Sequence, residues 1–157
     1  MITVISIMYK PSDEQTSHSD VGYLRRPLAE AMLLENYGIE GDSKGGNPKR
    51  NLNIMDDITL AELHCEGYPT EPGSLGENLI LRGVDLRTLP AGAQLRIGSE
   101  AVIALIKERV PCEQLTPLDE RMPESVEGRV GVMCRVMKSG RIKVGDPVAV
   151  VSELVAL

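Results

Sequence analysis

The chain has 157 residues, 42% hydrophobic and 25% charged, with 17 basic against 23 acidic side chains and a net charge of -6. That length fits one domain able to bury its own core, in the composition range of an ordinary soluble globular protein. With no Phe, no Trp and only four Tyr, the core must be built from Val, Ile, Leu and Met. The sequence also lacks the basic surface and aromatic platforms of a general nucleic-acid binder.

Residues 1–8 are apolar but short, without a basic leader or a small-residue cleavage site, and so read as a first strand rather than an export signal or membrane span. Residues 10–20 are polar and read as an exposed loop, with His18 as a solvated loop residue. Residues 27–35 are rich in Ala, Leu, Met and Glu, which favour helix; a strand is nevertheless expected around residues 31–34, because the family resemblance described below has one there.

The segment 37–50 combines glycines with Lys44, Lys49 and Arg50. Its backbone amides and cationic side chains suit an anion, a phosphate in particular, although it matches neither the phosphate loop of nucleotide hydrolases nor the dinucleotide fingerprint. Residues 51–55 alternate and predict a strand with Leu52 and Ile54 inward. Asp56 or Asp57 then caps a short helix over residues 58–65, ended by Gly67. His64 and Cys65, adjacent on that helix, make a poor chelating pair and read as structural.

In residues 72–81 two glycines set a tight bend, and the polar pair Glu77-Asn78 stands where the chain re-enters an apolar strand. Buried polar groups must find partners, so this pair either braces loops or meets a ligand. Residues 92–106 predict a hairpin turning at Gly98-Ser99, whose second arm is apolar on both alternating faces and therefore buried on both. Lys107, Glu108 and Arg109 then bring charge, Pro111 stops ladder pairing, and Cys112 arrives where a buried strand must emerge. Positive charge from Lys107 and Arg109 favours its thiolate.

Beyond it, residues 115–127 read as a loop flanking the Cys. Cys134 shares a face with Val132 and Val136 and belongs to the core. Turns at Ser139-Gly140 and Gly145-Asp146-Pro147 precede a last strand at residues 148–151 that closes the sheet. Cys65, Cys112 and Cys134 are odd in number and unrelated in spacing, so neither a disulfide framework nor a zinc knuckle is indicated, and a reducing cytoplasm is the natural setting. Many short strands with Gly and Pro turns predict a mainly β, barrel-like or sandwich fold.

Taken in order, Gly38-Ile39-Glu40-Gly41-Asp42, Pro72-Gly73-Ser74-Leu75-Gly76-Glu77-Asn78-Leu79, Pro111-Cys112, Gly128-Arg129-Val130-Gly131 and Gly145-Asp146-Pro147 resemble the MOSC domain family, across nearly the whole chain. The family takes its name from the C-terminal domain of molybdenum-cofactor sulfurases and includes stand-alone bacterial proteins. The resemblance implies a β-barrel that binds the pterin of the molybdenum cofactor (molybdopterin), or carries sulfur toward a metal-sulfur centre. It places the sulfur carrier or metal contact on Cys112 and the cofactor phosphate near Lys44 and Arg50; the leading reading adds Arg109 and Arg129 as further holders of the phosphate, with Glu77 and Asn78 shaping the pocket. Many relatives read Gly-Asp-Arg-His where this chain has Gly41-Asp42-Ser43-Lys44, so the anion contact is built differently here.

The 157 residues contain no pyridoxal phosphate-dependent desulfurase domain, so a sulfur-donor desulfurase and a recipient molybdoenzyme are the implied partners; neither nucleic acid nor membrane is expected. Two other readings stay open at this point. One is a small molybdenum-dependent oxidoreductase that reduces N-hydroxylated compounds. The other is a redox-sensing or structural module in which Cys112 is merely oxidisable.

Overall fold

A computed structural model describes residues 1–11, 25–110 and 126–155. Most of His18's loop and the loop carrying Pro111, Cys112, Pro117 and Pro123 lie outside the described residues. Eleven strands and one α-helix occur among those described. They are β1 (Ile2–Tyr9), β2 (Arg26–Pro27), β3 (Glu30–Leu34), β4 (Gly38–Ile39), β5 (Leu52–Asp56), α1 (Asp57–Cys65), β6 (Leu79–Arg82), β7 (Ala93–Ile97), β8 (Ala101–Glu108), β9 (Val132–Lys138), β10 (Gly140–Lys143) and β11 (Pro147–Leu154). The main sheet runs β11-β7-β8-β9-β5-β6-β1-β2, and β11 pairs back onto β1 through Ile2↔Val148 and Thr3↔Pro147, closing seven strands into a barrel. The expectation of a mainly β barrel is met.

Within the barrel the β5–β6 pair is parallel and its neighbouring ladders are antiparallel. Parallel neighbours need a crossover, and α1 provides it. The helix starts where Asp56 accepts the Thr59 N–H at 2.6 Å. One of the two aspartates foreseen as caps therefore fills that role.

Val4, Ile7, Leu33, Ile54, Leu79, Leu95, Ile103 and Val136 are among the residues of the barrel core, which is aliphatic as the composition demands. In β8, Ala101, Ile103 and Leu105 enter that core, while on the other face Ala104 is buried but Val102 and Ile106 are only half-buried, so the burial expected on both faces is met in part. Cys134 is fully buried in the same core. β3 is a strand despite its helix-favouring residues, because β10 and β4 flank it in a three-stranded sheet and Ala31 and Leu33 are buried. Tertiary pairing here outweighs a propensity of a few tenths of a kcal/mol per residue.

Three local expectations are corrected. Lys10, read as exposed, is only 4% exposed, since Pro11 bridges to Asp42 and draws the end of β1 under the glycine-rich loop. β5 is buried along its whole length, not on alternate residues. Leu52 and Ile54 do point inward, but the opposite face is covered by a second apolar cluster of Met55, Leu63, Tyr68, Leu75, Val126 and Val130. Cys65, read as a structural helix residue, is exposed. Leu63 supplies the buried face of α1, and Cys65 stands roughly 200° further round the helix.

Gly38 joins β3's partner strand to the barrel under a strict steric condition. Its φ is +123°, and a Cβ there would overlap the carbonyl oxygen of Asn51, which belongs to the backbone and has little room to yield. Gly38→Ala should therefore destabilise the fold by about 2 kcal/mol or more, read as a lower urea midpoint with an unchanged slope. A midpoint equal to that of the wild type would show that this corner tolerates rearrangement.

Candidate functional site

The glycine-rich loop is tied to the barrel by one buried carboxylate. Asp42 is 1% exposed. Its Oδ1 accepts the backbone N–H groups of Lys10 and Lys44, each at 3.2 Å, and its Oδ2 accepts Asn78 Nδ2 at 3.1 Å. The Tyr37 hydroxyl closes the same turn by donating to the Asp42 carbonyl at 2.8 Å. Asn78 also donates to the Met8 carbonyl at 3.1 Å and accepts the Asn53 N–H at 3.0 Å. A single amide thus joins β1, β5, the start of β6 and the loop.

Its neighbour Glu77 is equally buried and turns the other way, accepting the N–H groups of Gly73 and of Leu75, the latter at 3.3 Å. The Leu75 carbonyl in turn accepts from the Arg109 guanidinium, which is 4% exposed and also reaches the Val130 carbonyl at 3.4 Å. Of the two possibilities open for Glu77 and Asn78, both side chains brace loops. The bends 38–50 and 73–78 accordingly meet at one place with Arg109 and Val130.

The same cluster holds a residue that the sequence reading did not single out. Asn53 is fully buried on the outer face of β5, and neither its amide nitrogen nor its amide oxygen has a hydrogen-bond partner. Against it lies Gly131 at φ +106°, where a Cβ would sit 2.7 Å from Asn53 Oδ1. The available signal was Asn placed mid-strand between Leu52 and Ile54. Alternation assigns such a residue to solvent, and only the second apolar layer shows that it is covered.

The remaining expected site residues are distributed as follows. Lys44 is exposed, with its backbone rather than its ammonium turned into Asp42, and Arg50 is half-buried at the loop's far end, its N–H on the Asn47 carbonyl at 2.9 Å. Arg129 is directed toward the end of α1, where it forms a forked pair with Glu66, one arm at 2.9 Å. Cys112 lies outside the described residues; the chain leaves them next to Arg109 and Val110.

Two adjoining cavities open at the end of β8. One, of about 350 Å³, is lined by Lys107 to Val110, Glu127 and Gly128. The other, of about 250 Å³, shares Lys107, Glu108 and Gly128 with it and extends under α1. Neither is lined by Lys44 or Arg50.

The pattern of the MOSC domain matches residues 42–149, more than half of the chain. The chain belongs to the MOSC domain family. Solved structures agree on the fold. The YuaD protein of Bacillus subtilis superposes with a TM-score of 0.72 at 19% identity, over 94% of each chain. YiiM from Geobacillus stearothermophilus gives 0.73 at 20% identity, over 97% of this chain and 76% of that one. YiiM from Escherichia coli gives 0.66 at 22% identity, over 99% and 72%. No curated protein matches in sequence. The MOSC family is associated with molybdenum-cofactor binding. No helix among the described residues is long and apolar enough to cross a membrane.

Burial holds the Glu77 carboxyl above its ordinary range, against the opposing pull of the Gly73 and Leu75 N–H groups and the Arg109 charge. Because the folded carboxyl binds its proton more tightly than the unfolded one, its stabilising contribution is complete in acid and declines as pH rises from the unfolded pKa through the raised folded one. Glu77→Gln removes this titration. The stability of wild type minus that of E77Q should thus fall as pH rises above the ordinary carboxylate range, measured as urea midpoints across the series. A difference independent of pH would contradict it.

The described thiols also separate. Burial pushes the Cys134 thiol far up, whereas Cys65 faces solvent. An alkylating probe should label Cys65 in the native protein and reach Cys134 only on unfolding. Native labelling of Cys134 at the rate of Cys65 would mean that the barrel opens far more readily than its packing implies.

Proposed function

We propose that this MOSC domain binds the molybdenum cofactor at the cluster of Asn53, Asn78, Arg109 and Gly131, with Cys112 as the thiolate that touches molybdenum or relays sulfur. The observation carrying this reading is the Asn53 amide, wholly buried with donor and acceptor both unused, packed against a glycine at a point where any side chain would overlap it. Leaving such a group unpaired costs about 1–3 kcal/mol, and a heterocycle edge that presents both a donor and an acceptor, as a pterin does, would remove that cost. The donor set fits the group: a soft thiolate suits the metal, and cationic side chains suit a phosphate.

Each residue has a role that this chain's own chemistry supports. Asn53 would hydrogen-bond the ring edge. Arg109, buried and held by two backbone carbonyls, places positive charge where the chain runs on to Cys112 and so favours the thiolate. Lys44 and Arg50 would meet the phosphate from the loop that Asp42 holds in place, and Arg129 would add charge at the rim once released from Glu66. Glu77 and Asn78 keep the bends 38–50 and 73–78 in register with Arg109. When bound, the cofactor would supply a metal that exchanges electrons or sulfur ligands. Sulfur would come from a desulfurase and pass to a molybdoenzyme, both working in the reducing cytoplasm.

Purified from a host that makes the cofactor, the protein should carry molybdenum and releasable pterin in comparable amounts. Asn53→Leu should lower both by about tenfold without lowering the unfolding midpoint, because an apolar side chain of similar shape removes an unpaired buried amide. Cys112→Ser should reduce the molybdenum more than the pterin. Wild-type protein free of both would overturn the reading, and N53L with full occupancy would remove Asn53 from the site.

A further inference from the structure

Apart from Gly131 and Arg129, the residues lining the cavity of about 250 Å³ under α1 have no contact with the cofactor assigned to them above, and Gly131 also lies against Asn53. Its walls include Leu86, Leu89, Leu105, Ile106 and Val132. An apolar cavity of about 150 Å³ is enough to admit benzene, so this one has room for a six-membered ring and a substituent.

One wall residue asks for a partner. Thr59 is 4% exposed, and its buried hydroxyl makes no hydrogen bond. The Thr59 backbone N–H is used on Asp56, so the hydroxyl alone remains to be satisfied.

The charged groups of the lining argue against a charged occupant. Arg87 is forked onto Glu62 and bonded again to Asp85. Arg129 is forked onto Glu66. Both oxygens of Asp56 receive backbone N–H groups, from Thr59 and Leu86. Lys107 and Glu108 are exposed and stand at the mouth shared with the neighbouring cavity. An ionic ligand drawn in past that mouth would lose its hydration and meet Arg87, Arg129 and Asp56 with their hydrogen bonds already made.

We infer that this cavity is a binding site for a small uncharged molecule, an apolar ring bearing one hydrogen-bonding substituent that pairs with the Thr59 hydroxyl. Its position next to the cavity that leads to Arg109 makes it the chamber in which a substrate would lie beside the cofactor. That role as a substrate chamber rests on the cofactor reading above; the binding itself does not.

Three probes of nearly equal shape test it on the full chain: benzamide, benzoate and benzylammonium, followed by methyl NMR. Benzamide should shift the methyl signals of Leu86, Leu89, Leu105, Ile106 and Val132, while the two ions bind at least about tenfold more weakly. Thr59→Val, which keeps the side chain's shape, should weaken benzamide by about fivefold or more. Ala91→Leu, at an exposed wall position, should reduce binding of all three. Absence of benzamide shifts at these methyls would overturn the site, equal or tighter binding of an ion would overturn the uncharged class, and T59V with wild-type affinity would overturn the role of Thr59. Because none of these measurements needs the cofactor, a negative result here with molybdenum and pterin still present would leave the cofactor reading intact.

Discussion

The bond between Asp42 and Asn78 is the constraint on which the rest of the site depends. A carboxylate that is 1% exposed is tolerable only while its oxygens are occupied, and here they take two backbone N–H groups and one side-chain amide. Removing a partner would leave a buried charge uncompensated, at a cost of several kcal/mol. That cost keeps a loop rich in glycine, which would otherwise have large conformational freedom, in one place against the ends of β1 and β6. The loop's rigidity is therefore electrostatic in origin rather than a matter of its own packing.

The architecture consists of two apolar layers with a polar seam between them. Aliphatic side chains fill the barrel, and the smaller cluster of Met55, Leu63, Leu75, Val126 and Val130 lies on the outside of β5. Asn53 stands on that outer face, where the covering layer excludes water without offering it a partner. Gly131 and Arg109 border the same seam. A buried amide without a partner is expensive to maintain, by about 1–3 kcal/mol.

Most of the framework was legible in the sequence, because alternation, turn residues and caps are local signals. The hairpin of β7 and β8, the Asp56 cap and the core position of Cys134 all follow from neighbours within a few residues. β3 was legible only through the family resemblance, since its residues prefer helix and its strand form comes from β10, far along the chain. Asn53, Lys10 and Cys65 were misread or passed over for a related reason. Whether a side chain is covered depends on segments distant in sequence: Val126 and Val130 for the seam around Asn53, the Asp42 loop for Lys10, and, for Cys65, which face of α1 the rest of the fold covers. The bracing by Glu77 and Asn78 was foreseen as one of two possibilities, and choosing between them required knowing where the Asp42 loop and Arg109 came to rest.

The barrel is closed by a narrow seam, two paired positions between the first strand and the last. Apart from the two ladders that β11 makes, with β1 and with β7, the ladders of the barrel are completed by strands that precede β11 in the chain. During synthesis the pieces of the polar seam around Asn53 are therefore in hand while β1 and β7 still present unpaired edges to solvent. Such edges invite pairing with other chains. The interval before β11 arrives is thus the time of greatest exposure to aggregation, and the length of that interval is set by the ribosome rather than by the stability of the finished barrel.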